Sequence, residues 1–147
     1  MTERSGGCLC GAVRLRAVLS DEVIGACHCI QCQRWTGGGP LLSVPVSAVT
    51  FTHEDRIREF SISEWGVRAV CADCGTPLYW RMSDGPVKHV TVGLLDDQTG
   101  LAVTEEIFVD YRAPWLDAVP GAAQSTEAEQ NALLKAYLDK RAEGSTA

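Results

Sequence analysis

The chain has 147 residues, of which 46% are hydrophobic, and this size and composition are typical of one globular domain with a buried core. Its formal net charge of −6 argues against a nucleic-acid-binding protein, because a phosphate backbone repels an acidic surface. The longest apolar runs, at residues 40–42 and 93–95, are far shorter than the roughly 20 residues that span a bilayer. We therefore expect a single cytoplasmic domain over residues 1–147 that binds neither nucleic acid nor membrane.

Short segments separated by turn residues predict β-strands along most of the chain. In the first, residues 12–17, apolar Val13 and Leu15 alternate with Arg14 and Arg16, so that one face is buried and the other is exposed. Further strands are predicted at residues 22–27, 41–46, 57–62, 67–71, 77–82, 87–94 and 107–111, each bounded by Gly, Pro, Asp or Ser. Their even spacing predicts a mainly β fold.

The C-terminal segment has a different pattern, because its apolar residues recur at helical spacing. They are Leu133, Leu134, Tyr137 and Leu138. Thr126 and Glu129 have the spacing of a capping box at the start of a helix. We therefore predict an amphipathic helix over about residues 126–141, whose apolar side covers one face of the sheet.

All seven cysteines fall into three tight groups, which are Cys8 and Cys10, then Cys27, Cys29 and Cys32, and finally Cys71 and Cys74. A structural zinc takes four ligands, usually as two short pairs from distant parts of the chain, and the first and last groups provide such pairs. We call these four residues the closed cluster. The middle three, the open cluster, would leave their ion without a fourth thiolate, as in a catalytic zinc site. The sequence therefore predicts two zinc sites, one structural and one catalytic.

Disulfides, buried unligated thiols and an iron–sulfur centre are the alternatives for these cysteines. Disulfides fit poorly, because seven is an odd number and residues 1–6 lack the apolar stretch of a signal peptide. Buried structural cysteines have no reason to recur three times at such short spacings. An iron–sulfur centre with a three-cysteine corner is chemically possible, so it stays open as an alternative to zinc.

A zinc ion with three thiolate ligands suits a thiol substrate better than water, because the ligands give the site an excess of negative charge. A substrate thiol in the fourth position would be held as a thiolate against an electrophile. His28 lies within the open cluster, between two of its cysteines. The sequence leaves it three roles, as a fourth ligand, a proton shuttle or a packed side chain.

The order and spacing of the cysteines, with their flanking glycines and tryptophans, closely resemble the glutathione-dependent formaldehyde-activating enzyme family. The matching segments are residues 7–13, 26–37, 71–80 and 112–115, so the resemblance covers most of the chain, from about residue 6 to 115. It implies several small curved antiparallel sheets stapled by zinc. It also implies a carbon–sulfur lyase that condenses formaldehyde with glutathione, with structural zinc in the closed cluster and catalytic zinc in the open cluster. At residues 105–108 this chain has Glu-Glu-Ile-Phe where many members have a histidine.

A protein that binds glutathione needs cations for two carboxylates, and bidentate arginine is the natural choice. Arg34 is the best-placed candidate, two residues past Cys32 and next to Trp35. We predict that Arg34 and Trp35 bind the thiol substrate. Catalytic roles are predicted for Cys27, Cys29, Cys32 and His28.

These residues together predict a zinc-dependent lyase or synthase that adds a thiol, plausibly glutathione, to a small aldehyde such as formaldehyde. Two other functions fit the sequence. One is a zinc-stabilised binding module that recruits a protein, in which both metals are structural and His28 or an oxygen ligand fills the fourth position of the open cluster. The other is a thiol or metal sensor, in which the open cluster oxidises or releases its metal.

Overall fold

A computed structural model describes residues 2–145. Its strands are β1 (Thr2–Gly7), β2 (Arg14–Leu19), β3 (Val23–Cys27), β4 (Leu41–Phe51), β5 (Ile57–Phe60), β6 (Gly66–Cys71), β7 (Pro77–Met82), β8 (His89–Thr91), β9 (Ala102–Ile107) and β10 (Ala123–Ser125). The α-helices are α1 (Ile30–Thr36) and α2 (Glu127–Ser145), and short 3-10 helices span Glu54–Arg56, Val92–Leu94 and Val109–Tyr111. The predicted mainly β fold with a C-terminal helix is confirmed. Within residues 2–145, no helix is long and apolar enough to cross a membrane.

The described chain divides into two compact units. The first comprises residues 2–25 and 42–103, and the second comprises residues 26–41 and 104–145. The closed cluster belongs to the first unit and the open cluster to the second. The single domain expected over residues 1–147 stays a prediction.

Seven strands of the first unit pair antiparallel in the order β1-β2-β4-β8-β7-β6-β5. The alternation predicted for β2 is confirmed, because Leu15 is buried while Arg14 and Arg16 are exposed. Leu78 and Val90 are fully buried in the core of this unit. Each such aliphatic side chain stabilises the fold by about 1.5–3 kcal/mol relative to exposure.

The end of β1 depends on a close backbone approach at Gly6. A Cβ atom at this position would lie 2.1 Å from the carbonyl oxygen of Leu94. Only glycine fits there, and it lets Gly6 form a bridge with Leu95. This contact fixes the segment that leads directly into the first cysteine pair.

In the second unit, β9 and β10 pair in parallel, with Ala123 opposite Glu105. Helix α1 begins after Cys29 and ends at Gly37, whose φ of 86° requires a residue that tolerates the left-handed region. Helix α2 begins with the predicted capping box. The Thr126 hydroxyl accepts from the Glu129 amide at 3.3 Å, and the Thr126 amide donates to Glu129 Oε1 at 3.4 Å.

The predicted burial of an apolar stripe on α2 is wrong. Leu133, Tyr137 and Leu138 are 63%, 40% and 36% exposed, and only Leu134 is half-buried. The four apolar residues occupy barely two turns of a 19-residue helix whose other positions are mostly polar or alanine. The helix also extends beyond the predicted end, to Ser145.

Two predicted strands are corrected by the structure. Residues 107–111 are the end of β9 followed by a 3-10 helix, because Phe108 has a φ of 55° that no strand can continue. The strand predicted at residues 87–94 is the shorter β8 followed by the 3-10 helix Val92–Leu94. The sequence patterns did not predict β1, β9, β10 or α1. Strand β1, for example, has the sequence Thr-Glu-Arg-Ser-Gly-Gly and forms through pairing with β2 along its whole length.

Candidate metal centres

The closed cluster lies in the first unit, where two turns meet. The sulfurs of its four cysteines lie within 4.8 Å of one another. Cys71 ends β6 and Cys8 directly follows β1, while Cys10 and Cys74 follow in the adjoining turns. Four soft donors at this spacing fit the tetrahedral coordination of a structural zinc.

Hydrogen bonds organise the two turns of the closed cluster. The Val13 amide donates to Cys8 Sγ at 3.3 Å. The Thr76 hydroxyl accepts from the Leu9 amide at 3.0 Å and donates to Cys74 Sγ at 3.1 Å, so one side chain links the turns. The bond from the Thr76 hydroxyl is the largest of several hydrogen bonds that together outweigh burial and lower the pKa of Cys74 to about 6. This thiol is therefore easily ionised, as metal binding requires.

The open cluster lies in the second unit, between β3 and α1. Cys27 is the last residue of β3, Cys29 is the N-cap of α1 and Cys32 lies in the first turn of that helix. Their three sulfurs lie within 4.8 Å of one another. The Cys32 amide donates to Cys29 Sγ at 3.3 Å. The beginning of α1 thus sets the spacing of two of the three sulfurs.

The chemistry of the open cluster fits a cation. Hydrogen bonding with the Cys29 and Cys32 sulfurs, together with burial, holds the pKa of Cys27 well above its ordinary value. The three thiols therefore resist ionising together unless a positive charge compensates them, and a bound metal ion supplies that charge. All seven cysteines in the described range are free thiols. Three sulfurs on one short segment fit zinc with one coordination position left over.

His28 does not join the sulfurs of the open cluster. Within residues 2–145, the ligand group there contains the three sulfurs and no histidine nitrogen or carboxylate oxygen. His28 Nε2 instead lies 2.7 Å from Glu106 Oε1, and both residues are 1% exposed. Of the three roles that the sequence left open, this geometry favours the packed side chain. The proton-shuttle role stays a prediction.

Glu106 is the centre of a buried polar network in the second unit. Its Oε2 atom accepts from the Val119 amide at 2.9 Å, Gln124 Nε2 at 2.7 Å and Arg112 Nη2 at 3.2 Å. Burial opposes ionisation, but the hydrogen bonds from Gln124, Val119 and His28 and the charge of Arg112 outweigh it and lower the pKa of Glu106 to about 2. The residue is a carboxylate at neutral pH.

Glu106 was not predicted from the sequence as a functional residue. The available signal was its position in the segment 105–108, where the resemblance leads us to expect a histidine in many family members. Two of its hydrogen-bond donors, Val119 and Gln124, are 13 and 18 residues away in sequence and belong to no recognisable motif.

Residues 3–111 match the model of one protein family, described as the glutathione-dependent formaldehyde-activating enzyme. The chain belongs to this family. The matched segment includes both cysteine clusters and Glu106, and it confirms the resemblance found in the sequence.

Two individual proteins are similar to this member of the glutathione-dependent formaldehyde-activating family. An uncharacterized lyase of Schizosaccharomyces pombe is 27% identical over 85 residues, which are 58% of this chain and 62% of that protein. The chain thus spans about 62% of the length of this curated relative. A crystal structure of a Rhodobacter sphaeroides protein superposes with a TM-score of 0.52 at 17% identity, covering 83% of this chain and 99% of that one. At that identity the likeness shows the fold alone.

The two residues predicted to bind the thiol substrate both lie on α1. Arg34 is exposed and Trp35 is half-buried. They follow Cys32 by two and three residues, in the segment that the family model covers. Their binding role stays a prediction.

This family member also has a cavity of about 640 Å³ in its first unit, and no cysteine lines it. Its lining includes Phe51, Glu59 and Tyr79. The Tyr79 hydroxyl donates to Glu59 at 2.8 Å, and Glu59 also forms an ion pair with Arg81. These polar groups already satisfy one another, so we place no chemistry in this cavity.

Proposed function

We propose that the chain is a zinc-dependent carbon–sulfur lyase that reversibly adds a thiol such as glutathione to a small aldehyde such as formaldehyde. Membership of the glutathione-dependent formaldehyde-activating family and the similarity to an S. pombe lyase support the enzyme class. One observation carries the finer proposal. Three sulfurs converge in the open cluster, and within residues 2–145 no His, Asp, Glu or further Cys side chain joins them.

The two clusters have different roles in this proposal. The closed cluster provides four thiolates and therefore serves stability. In the open cluster, zinc held by Cys27, Cys29 and Cys32 would supply a Lewis acid with a free position, at which a thiol loses its proton readily. The Cys32 amide donates to the Cys29 sulfur and disperses part of its negative charge.

The predicted substrate-binding residues fit a thiol that carries carboxylates. Arg34 is exposed on α1, so its guanidinium group is available for a bidentate contact with a carboxylate of glutathione. Trp35 is half-buried and offers an apolar surface beside it. We assign recognition of the substrate to these two residues and chemistry to the cysteines.

The reaction balances without an oxidant or reductant. The thiol sulfur forms a bond with the carbonyl carbon, the S–H bond and the carbonyl π bond break, and the proton ends on the new hydroxyl group. His28 is 1% exposed and its Nε2 atom is bonded to Glu106, so we assign delivery of the proton to water. The reverse reaction cleaves the same carbon–sulfur bond.

Exchange NMR with ¹³C-formaldehyde and glutathione tests this function at equilibrium. Because the uncatalysed addition is already fast, the measured quantity is the exchange rate above that of buffer. We expect the rate to rise in proportion to the concentration of zinc-loaded protein and to return to the buffer rate in the Cys29→Ser variant. If protein carrying two zinc ions gives no acceleration, the lyase proposal is wrong and a binding module becomes the better reading.

A further inference from the structure

We propose that Glu106 is a positioning residue for the open cluster. Acting through His28, its carboxylate holds Cys27 and Cys29 at the spacing that binds the metal ion. This inference rests on the proposed function of the open cluster and assigns a role to a residue outside its ligands.

His28 is held by β9 and α1 at three points. Its side chain bonds Glu106 at 2.7 Å, and its backbone amide donates to the carbonyl of Ile107, the next residue, at 3.0 Å. Its own carbonyl accepts from Gln33 Nε2 at 2.7 Å, and Gln33 also donates to the Tyr111 carbonyl at 2.7 Å. The residue between two cysteines of the open cluster therefore cannot move independently of the segment that carries Glu106.

The local backbone couples the imidazole ring of His28 to both neighbouring sulfurs. Cys27 ends a strand, and Cys29 has the extended conformation φ −60° and ψ 156°. The sulfurs of Cys27 and Cys29 lie within 4.8 Å of each other, whereas the His28 ring between them does not join them and bonds Glu106 instead. A rotation that released this ring would displace both sulfurs.

The ring depends on Glu106 for its orientation. Among the described residues, His28 Nδ1 is buried and has no hydrogen-bond partner, so the bond to Glu106 is the polar contact that fixes the ring. Glu106 is fixed in turn, since its Oε2 atom accepts three hydrogen bonds and leaves Oε1 for His28. A carboxylate can only accept, so Nε2 carries the proton. Outer-shell carboxylates that hydrogen-bond a metal ligand typically change metal affinity by about 10–100-fold when removed, and Glu106 bonds the residue that lies between two ligands.

Cadmium affinity measured separately at each cluster tests this proposal. ¹¹³Cd NMR gives distinct resonances for four-sulfur and three-sulfur sites, and a competing chelator converts their intensities into dissociation constants. We expect Glu106→Gln to weaken cadmium binding at the open cluster by about 10–100-fold and to leave the cadmium affinity of the closed cluster unchanged. Glu105→Gln is the matched control, because Glu105 is the exposed neighbour on the same strand, and both of its dissociation constants should equal those of the wild type.

A second pair of variants separates positioning from simple loss of folding. His28→Gln keeps an amide that can donate to Glu106, whereas His28→Leu removes the donor from the same buried site. We expect the cadmium affinity of the open cluster in His28→Gln to remain within about threefold of the wild type. In His28→Leu it should fall as far as in Glu106→Gln. The proposal is overturned if Glu106→Gln binds cadmium as the wild type does, or if His28→Gln is as weak as His28→Leu.

The affinity readout does not depend on turnover. If the wild-type protein binds cadmium at both clusters but fails the exchange assay, the lyase proposal is wrong. The affinities of the variants still decide whether Glu106 is a positioning residue. A wild type that takes up cadmium only at the closed cluster overturns both proposals.

Discussion

Thr76 connects the two turns of the closed cluster through a single hydroxyl group. It accepts from the Leu9 amide and donates to Cys74 Sγ, and these two residues lie on different turns. Valine has nearly the same shape as threonine but can make neither bond. The Thr76→Val variant therefore isolates the hydrogen bonds from the packing.

We expect Thr76→Val to lower the free energy of unfolding of the metal-loaded chain by about 1–2 kcal/mol, measured by urea denaturation. In metal-free protein it should also raise the pKa of Cys74, measured by the pH dependence of thiol alkylation, because the donor to its thiolate is lost. Thr76→Ser keeps the hydroxyl group and should retain both properties. Equal behaviour of the two variants would contradict this role.

At the scale of single residues, the sequence predicted which cysteines group together, because metal sites require a definite number of ligands. Short spacings within each cysteine group separated the closed from the open cluster, and the structure brings the sulfurs of each together. Glu106 could not be predicted in this way, because two adjacent glutamates, Glu105 and Glu106, are typical of a solvent-exposed segment. Its importance comes from burial and from donors that only the folded chain assembles.

At the scale of elements, helix α2 is partly buried over its first two turns and exposed beyond them. Glu127, Gln130 and Leu134 are half-buried, whereas residues 135–144 are all exposed. The ion pair of Lys135 with Asp139 lies on this exposed part and contributes little. The stability of the helix therefore depends on its first two turns.

We expect removal of residues 135–147 to change the free energy of unfolding by less than about 0.5 kcal/mol. The Thr126→Ala variant, which removes the cap, should cost about 1 kcal/mol. Thermal unfolding followed by circular dichroism measures both changes. A truncated chain that is less stable than the Thr126→Ala variant would show that the exposed part packs against something after all.

Among the strands, alternation predicted β2 well, because its buried and exposed side chains differ in polarity. The same rule failed for β9, whose sequence Ala-Val-Thr-Glu-Glu-Ile places a buried glutamate in a strand that reads as polar. It also failed for β10, a three-residue strand defined by its parallel pairing with β9. Elements stabilised by tertiary hydrogen bonds leave only a weak pattern in the sequence.

At the scale of the whole molecule, the two clusters staple very different lengths of chain. Cys10 and Cys71 of the closed cluster are 61 residues apart in sequence, and their sulfurs lie 3.8 Å apart. The open cluster spans only residues 27–32, which β3 and α1 already hold. Closing a long loop restricts the unfolded chain far more than closing a short one. Metal bound at the closed cluster should therefore contribute most of the metal-dependent stability.

A pair of serine variants tests this division of roles. Cys10→Ser removes one ligand of the closed cluster, and Cys29→Ser removes one of the open cluster. We expect Cys29→Ser to bind one metal ion fewer by native mass spectrometry while keeping the urea midpoint of the wild type. The urea midpoint of Cys10→Ser should fall towards that of chelator-treated protein. Lowering the pH should reduce the midpoint of the metal-loaded wild type, because protons compete with metal for the thiolates. If Cys29→Ser unfolds as readily as Cys10→Ser, the open cluster is also a structural staple, and the distinction on which its catalytic role depends is lost.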